Sequence, residues 1–161
     1  MLNEITNYYQ MTDAVGTSGQ PTEAQFKDIA EAGFKVVINL AMPDDSNALA
    51  NEGSIVSHLG MTYVHIPVPW ETPKLSHLNR FIGIMKSLEP DKVWVHCVVN
   101  ARVSAFNYHY LKSRLCLPES DCRSPLLEKW VPQMEPAWQQ FLAIPADQIS
   151  SIEHKTIRSC L

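Results

Sequence analysis

Apolar positions along this chain follow two alternating rhythms. "FKVVINLA", "MTYVHIPV" and "KVWVHCV" are short, nearly continuous apolar runs rich in β-branched residues. Such runs fit strands buried on both faces. Between them, apolar residues recur at helical spacing. In "PTEAQFKDIAEAG", Phe26, Ile29 and Ala30 share one face, Thr22 and Gln25 have capping-box spacing, and Gly33 supplies a stop. "ALANEGSIVSHLG" repeats the move with Leu49, Ile55, Val56 and Leu59, closed by Gly60. "PWETPKLSHLNRFIGIMKSLEP" puts Leu75, Leu78, Ile82 and Met85 on a third face, with Thr72 as the expected cap and Pro73 in the expected first turn.

Strands and helices thus alternate with short connections. That predicts an α/β fold on a central, mostly parallel sheet of four to five strands flanked by helices. "YYQMTDAVGTSGQ" is the expected N-terminal edge strand. After Cys97 the pattern stays helical to Leu115. "LPESDCRSP" is a turn-rich break, and "LLEKWVPQMEPAWQQFLAIP" predicts one or two short helices with Trp130 and Trp138 facing the core. The final stretch, "ADQISSIEHKTIRSCL", has weak periodicity and reads as a partly ordered tail. No linker or low-complexity tract divides the chain. Residues 1–161 are therefore expected to be one domain, with a core over about 16–143 and a tail over 146–161.

Composition narrows the function classes. With 161 residues, 45% apolar and 19% charged, the chain can bury an ordinary core. A net charge of −4 gives no global attraction to nucleic acid or anionic lipid, so neither is expected as a partner. Any anion affinity must be local. No apolar run approaches the ~20 residues of a membrane span, and "MLNEITNYYQ" lacks a signal-peptide pattern, so a cytoplasmic location is expected. Cys97, Cys116, Cys122 and Cys160 form no Cys-x-x-Cys pair, and the histidines have no metal-ligand spacing. Free thiols, no metal and no cofactor are expected.

The chemistry concentrates in "VWVHCVVNARVSAF", Val93 to Phe106. A strand runs into His96 and Cys97, then come a tight loop, Arg102 and a helix. Ligands of open α/β sheets bind beyond the carboxyl ends of the strands. There the backbone N–H groups of Val98, Val99, Asn100, Ala101 and Arg102 can curl around an anion at a helix N-terminus. The same field favours a thiolate, lowering a cysteine pKa from ~8.5 into the ~3.5–7.5 range. Arg102 adds a fork for two oxygens of one anion. Ser104 is expected to donate to the sulfur. His96 is expected to shape the loop, because successive strand residues point to opposite faces. The plain alternative is a packed cysteine; the flanking strand, helix, His96, Arg102 and Ser104 weigh toward an anion site.

"GTSGQPTEAQFKDIAEAGFKVVINLA", "YVHIPVPWETP" and "VHCVVNARVSAF", in that order, resemble the bacterial dual-specificity-phosphatase-like family, a domain also found fused to β-lactamase-like hydrolases. The resemblance covers roughly Gly16 to Phe141. It implies a cysteine-phosphatase fold and a phosphatase activity. Cys97 would be the nucleophile, Val98 to Ala101 the cradle, Arg102 the oxyanion ligand and Ser104 the thiolate's helper. The wider superfamily separates cysteine and arginine by five residues, with glycine mid-loop. Here only four intervene, Val103 stands at the usual arginine position, and Asn100 stands where glycine is common. The bacterial family shares the shorter gap, and asparagine tolerates left-handed backbone.

A phosphatase also needs an acid to protonate the leaving oxygen. The resemblance locates it on the loop "PWETPK", where Trp70 and Glu71 fall nearest, so Glu71 is the expected donor. Asp44 and Asp45, after another strand, are weaker candidates that serve equally well as a helix cap. The short loop is also shared with rhodanese-like sulfurtransferases. Two further readings therefore stand beside the phosphatase. Cys97 could carry sulfur from a sulfane-sulfur donor as a persulfide, or the fold could bind a small anion without turnover. The sequence does not express an oligomeric state.

Overall fold

The computed structural model describes residues 1–149. Five strands form one sheet: β1 (Tyr9–Thr12), β2 (Val15–Ser18), β3 (Val36–Asn39), β4 (Thr62–His65) and β5 (Val93–His96). Their order is β1-β2-β5-β3-β4. β2, β5, β3 and β4 run parallel, and β1 pairs antiparallel with β2. The N-terminal segment is therefore a hairpin of two strands rather than one edge strand. Thr12 Oγ1 accepts from the N–H groups of Ala14 (3.2 Å) and Val15 (3.1 Å), and this side-chain turn reverses the chain.

The helices follow the apolar pattern: α1 (Glu23–Glu31), α2 (Glu52–His58), α3 (Leu75–Ser87), α4 (Ala101–Ser113), α5 (Pro125–Trp130), α6 (Pro136–Leu142) and α7 (Ala146–Ile149). The Thr22–Gln25 capping box opens α1, and Gly33 follows it at φ 90°. α3 starts later than its sequence suggests. The Thr72 N–H closes a turn onto Pro69 O, so Thr72 and Pro73 stay outside the helix. Lys74 caps it instead, its N–H donating to His77 Nδ1 at 3.2 Å. The expected tail begins as α7, with Ile149 buried. The rest of that tail, with His154 and Cys160, lies outside the described residues.

Period-two alternation divides the core. Val36, Ile38, Val93 and Val95 face a large cluster with α3, α4, α6 and α7, while Val37 and Trp94 face a smaller one with Phe26, Ile29 and Val56 of α1 and α2. Trp94 lies directly across from Gly16, where an added Cβ would come within 2.7 Å of the indole. Only glycine admits that ring. α4 is buried along Ala101 to Leu111 and runs through the large cluster as a central helix. Trp138 is fully buried and Trp130 half-buried. Among the described residues, no helix is long and apolar enough to cross a membrane.

Candidate active site

β5 lies between β2 and β3, and both neighbours pin its carboxyl end. The Cys97 N–H donates to Ser18 O (3.3 Å), and His96 O accepts from the Leu40 N–H (2.9 Å). Alternation then sends the two side chains apart. Cys97 joins the α4 cluster. His96 turns to the other face, where Nε2 bonds Glu52 Oε1 at 2.5 Å and the ring packs edge-on to Phe26. The second Glu52 oxygen accepts from Gln20 Nε2 (2.8 Å), and the Gln20 N–H donates to Val98 O (3.0 Å). His96 thus supports the loop from behind, through Glu52 and Gln20. Glu52 carried no sequence signal of its own, since an acid at the start of a helix is ordinary.

The loop's polarity follows from what its carbonyls bind. Val98 O also accepts from Asn47 Nδ2 (3.4 Å), and Val99 O accepts from Asn7 Nδ2 (2.9 Å). A trans peptide carries its N–H opposite its carbonyl. Anchoring these oxygens outward therefore turns the Val99 and Asn100 N–H groups inward, and both donate to the Cys97 sulfur. Asn100 sits in the left-handed region at φ 72°. Its Nδ2 donates to Asn7 O (2.8 Å) and Thr17 Oγ1 (3.1 Å). The asparagine supplies the turn that glycine usually supplies and ties it to β2 and to the segment before β1.

Two expectations are corrected here. Ser104 does not bond the sulfur: its hydroxyl donates to Ala101 O at 2.7 Å. In the first turn of a helix the preceding turn's carbonyl lies within reach of a serine. The donor in its place is the Val103 N–H, one of the unpaired amides of a helix N-terminus. The Cys97 thiol is also not lowered. Burial pushes it up, against the pull of the Val103 N–H, the Arg102 charge and the Val99 and Asn100 N–H groups. Cys97 is 1% exposed, and Arg102 already has a counter-ion.

That counter-ion is Asp45. Arg102 Nη1 donates to Asp45 Oδ2 at 2.8 Å, and the Met42 N–H donates to the same oxygen at 2.9 Å. Partial burial would lift the Asp45 carboxyl, but the Arg102 bond, the Met42 N–H and the Arg102 charge together hold it below its ordinary value. Arg102 is itself 4% exposed, and its Nε is buried without a hydrogen-bond partner. Its guanidinium lies over the Trp70 ring, 5.7 Å from the centroid. Trp70 stacks on Trp130, and its carbonyl accepts from Trp138 Nε1 (2.8 Å), so α5 and α6 fix the Pro69–Thr72 turn beside Arg102. Glu71, in that turn, is exposed, and its carboxylate bonds none of the described residues.

The arrangement can hold an anion. Three N–H groups point at one sulfur, and a buried guanidinium nitrogen beside them lacks an acceptor. A buried donor without a partner costs about 1–3 kcal/mol, a cost that an incoming oxyanion removes. Cys97, Cys116 and Cys122 are free thiols.

A family model described as "DSP-PTPase phosphatase fused to NAD+ Kinase" matches residues 5–106. The crystal structure of a DUF442 protein from Shewanella putrefaciens CN-32, described as a candidate phosphatase, superposes with a TM-score of 0.80 at 34% identity, covering 88% of this chain and 91% of that one. The core catalytic domain of the PP-IP phosphatase SIW14 from S. cerevisiae, in complex with citrate, has a TM-score of 0.72 at 15% identity, covering 94% and 93%. A cysteine-to-serine variant of P. aeruginosa TpbA, in complex with pTyr, has a TM-score of 0.60 at 14% identity, covering 73% and 69%. The last two are similar in fold alone. Among curated proteins none matches this chain. The matched model spans more than half of the sequence, and the Shewanella protein is one-third identical over most of it, so this chain belongs to the DSP-PTPase family of protein-tyrosine and dual-specificity-type phosphatases.

Proposed function

We propose that this chain hydrolyses a phosphomonoester through a cysteinyl-phosphate intermediate. The observation that carries the reading is the convergence of the Val99, Asn100 and Val103 N–H groups on Cys97, with the unpaired Nε of Arg102 alongside. Cys97 attacks phosphorus as a thiolate. The loop N–H groups and Arg102 stabilise the equatorial oxygens as charge builds on them. A carboxyl protonates the leaving oxygen, and the family resemblance of the "PWETPK" loop points to Glu71 for that step. Water then cleaves the S–P bond and releases phosphate.

The raised Cys97 thiol follows from its burial and does not argue against this chemistry. Withdrawing its proton leaves a thiolate that already has three N–H donors. The test is phosphate release from 4-nitrophenyl phosphate by the purified protein. Cys97→Ser is expected to lose at least about 10³-fold of the rate. Activity retained in that variant eliminates the mechanism. Incubation with thiosulfate followed by intact mass addresses sulfur transfer: a gain of one sulfur on Cys97 without phosphate release would replace the phosphatase reading.

A further inference from the structure

We propose that Asp45, released from Arg102 by the arriving phosphate, is the acid that protonates the leaving oxygen. The proposal rests on the phosphatase reading above and names the one part that reading leaves to an exposed residue. Asp45 Oδ2 lies 2.8 Å from Arg102 Nη1. The carboxylate therefore occupies a guanidinium edge that a phosphate oxygen would also seek. An anion taken by the unpaired Nε would bind the same guanidinium whose Nη1 holds this carboxylate. Glu71 sits instead in an exposed turn and bonds none of the described residues.

The carboxyl is held at the rim from both sides. The Met42 N–H donates to Asp45 Oδ2, and the Asp45 N–H returns a bond to Met42 O at 3.2 Å. Two residues on, Asn47 Nδ2 reaches the Val98 carbonyl of the cradle itself. One short loop thus touches both ends of the anion site, and losing the Arg102 bond leaves Asp45 in place. Asp45 also keeps a quarter of its side chain exposed, which gives water a route to it.

The protons balance. Before phosphate binds, Cys97 holds a proton and Asp45 none, because burial favours the thiol and Arg102 favours the carboxylate. The reacting form holds them the other way round. A bound phosphate dianion takes Asp45's counter-ion and places negative charge beside it, and both changes favour the neutral acid. Cys97–SH and Asp45–CO₂⁻ become Cys97–S⁻ and Asp45–CO₂H with no net gain or loss of protons. The sulfur lone pair forms the S–P bond, the P–O bond breaks, and Asp45 gives its proton to the departing alkoxide. The Asp45 carboxylate then takes a proton from water as that water's oxygen bonds phosphorus and the S–P pair returns to sulfur. The net reaction is ester plus water to alcohol plus phosphate. Paired titratable groups whose surroundings push them apart are the usual mark of such an assignment.

The experiment compares Asp45→Asn, Asp45→Glu and Glu71→Gln on two substrates. 4-Nitrophenyl phosphate has a leaving group that needs little protonation, and phenyl phosphate has one that needs much. Asp45→Asn is expected to lower kcat on phenyl phosphate by about 10²-fold or more, and on 4-nitrophenyl phosphate by less than about tenfold. Asp45→Glu is expected to restore part of the phenyl phosphate rate. Equal losses on both substrates would mean that Asp45 only holds Arg102, and would overturn the proposal. So would no loss, or a selective loss in Glu71→Gln instead. Wild-type protein that hydrolyses neither ester removes the phosphatase reading itself, and this proposal with it.

Discussion

Cys97 and Cys122 are both buried, both free, and both pushed up by burial, yet they stand in opposite surroundings. Cys97 receives N–H groups from Val103, Val99 and Asn100 and lies beside a guanidinium. Cys122 faces carbonyls instead. Its Sγ donates to Pro118 O (3.3 Å) and Leu117 O (3.6 Å), with Glu119 and Asp121 adding negative charge nearby. The first sulfur is an acceptor, and the second is a donor. Burial is common to both and so discriminates nothing. What separates the two sulfurs is the polarity of the backbone pointed at each.

The sharpest test of that contrast is to replace each sulfur. Cys97→Ser should lose at least about 10³-fold in phosphate release, while Cys122→Ser should stay within about twofold of wild type. Similar losses in both would erase the distinction.

A smaller effect probes how the polarity is held. Asn100→Ala must adopt a left-handed backbone and loses the bonds to Asn7 and Thr17. Denaturant unfolding should report a loss of about 1–3 kcal/mol. Asn100→Gly keeps the turn but not the clasp, so it should lose less stability. If glycine cost as much as alanine, the clasp rather than the turn would be the governing feature.

The smallest effect lies on the Cys122 side. The Lys112 bond, against partial burial, then the Arg123 and Tyr108 bonds, hold the Glu119 carboxyl down to about 2 from 4.5. A folded value below the unfolded one means stability that is present above pH 4.5 and lost as pH falls toward 2. Glu119 is nearly half exposed, so solvent screening keeps the contribution below about 1 kcal/mol. Unfolding at pH 6 and pH 3 should therefore differ less in Glu119→Gln than in wild type. An unchanged difference would remove this network as a brace for the turn that holds Cys122.

Legibility followed the same divide between local and distant causes. The apolar runs marked β3, β4 and β5, and the Thr22–Gln25 spacing marked α1, because those signals lie within one element. The hairpin of β1 and β2 looks like one strand in the sequence because its turn rests on Thr12 rather than on glycine. In the site, the strand, Cys97, loop, Arg102 and helix could be read in line. Glu52 behind His96, Asp45 on Arg102 and Asn7 on Val99 could not. They are 44, 57 and 92 residues from their partners. The position of Ser104 on the helix is legible, while the competing Ala101 carbonyl acts only once the helix has formed.

The sequence alone determined that strands and helices alternate and that a cysteine, a short loop and an arginine stand where a strand meets a helix. Those are matters of periodicity and chain order, written within a few residues of each other. Only the tertiary structure decided which way the loop's peptides face, what fills the Arg102 fork and whether the thiol rises or falls. Each of these depends on the electrostatics of groups brought close by folding, and distance along the chain carries no record of that proximity.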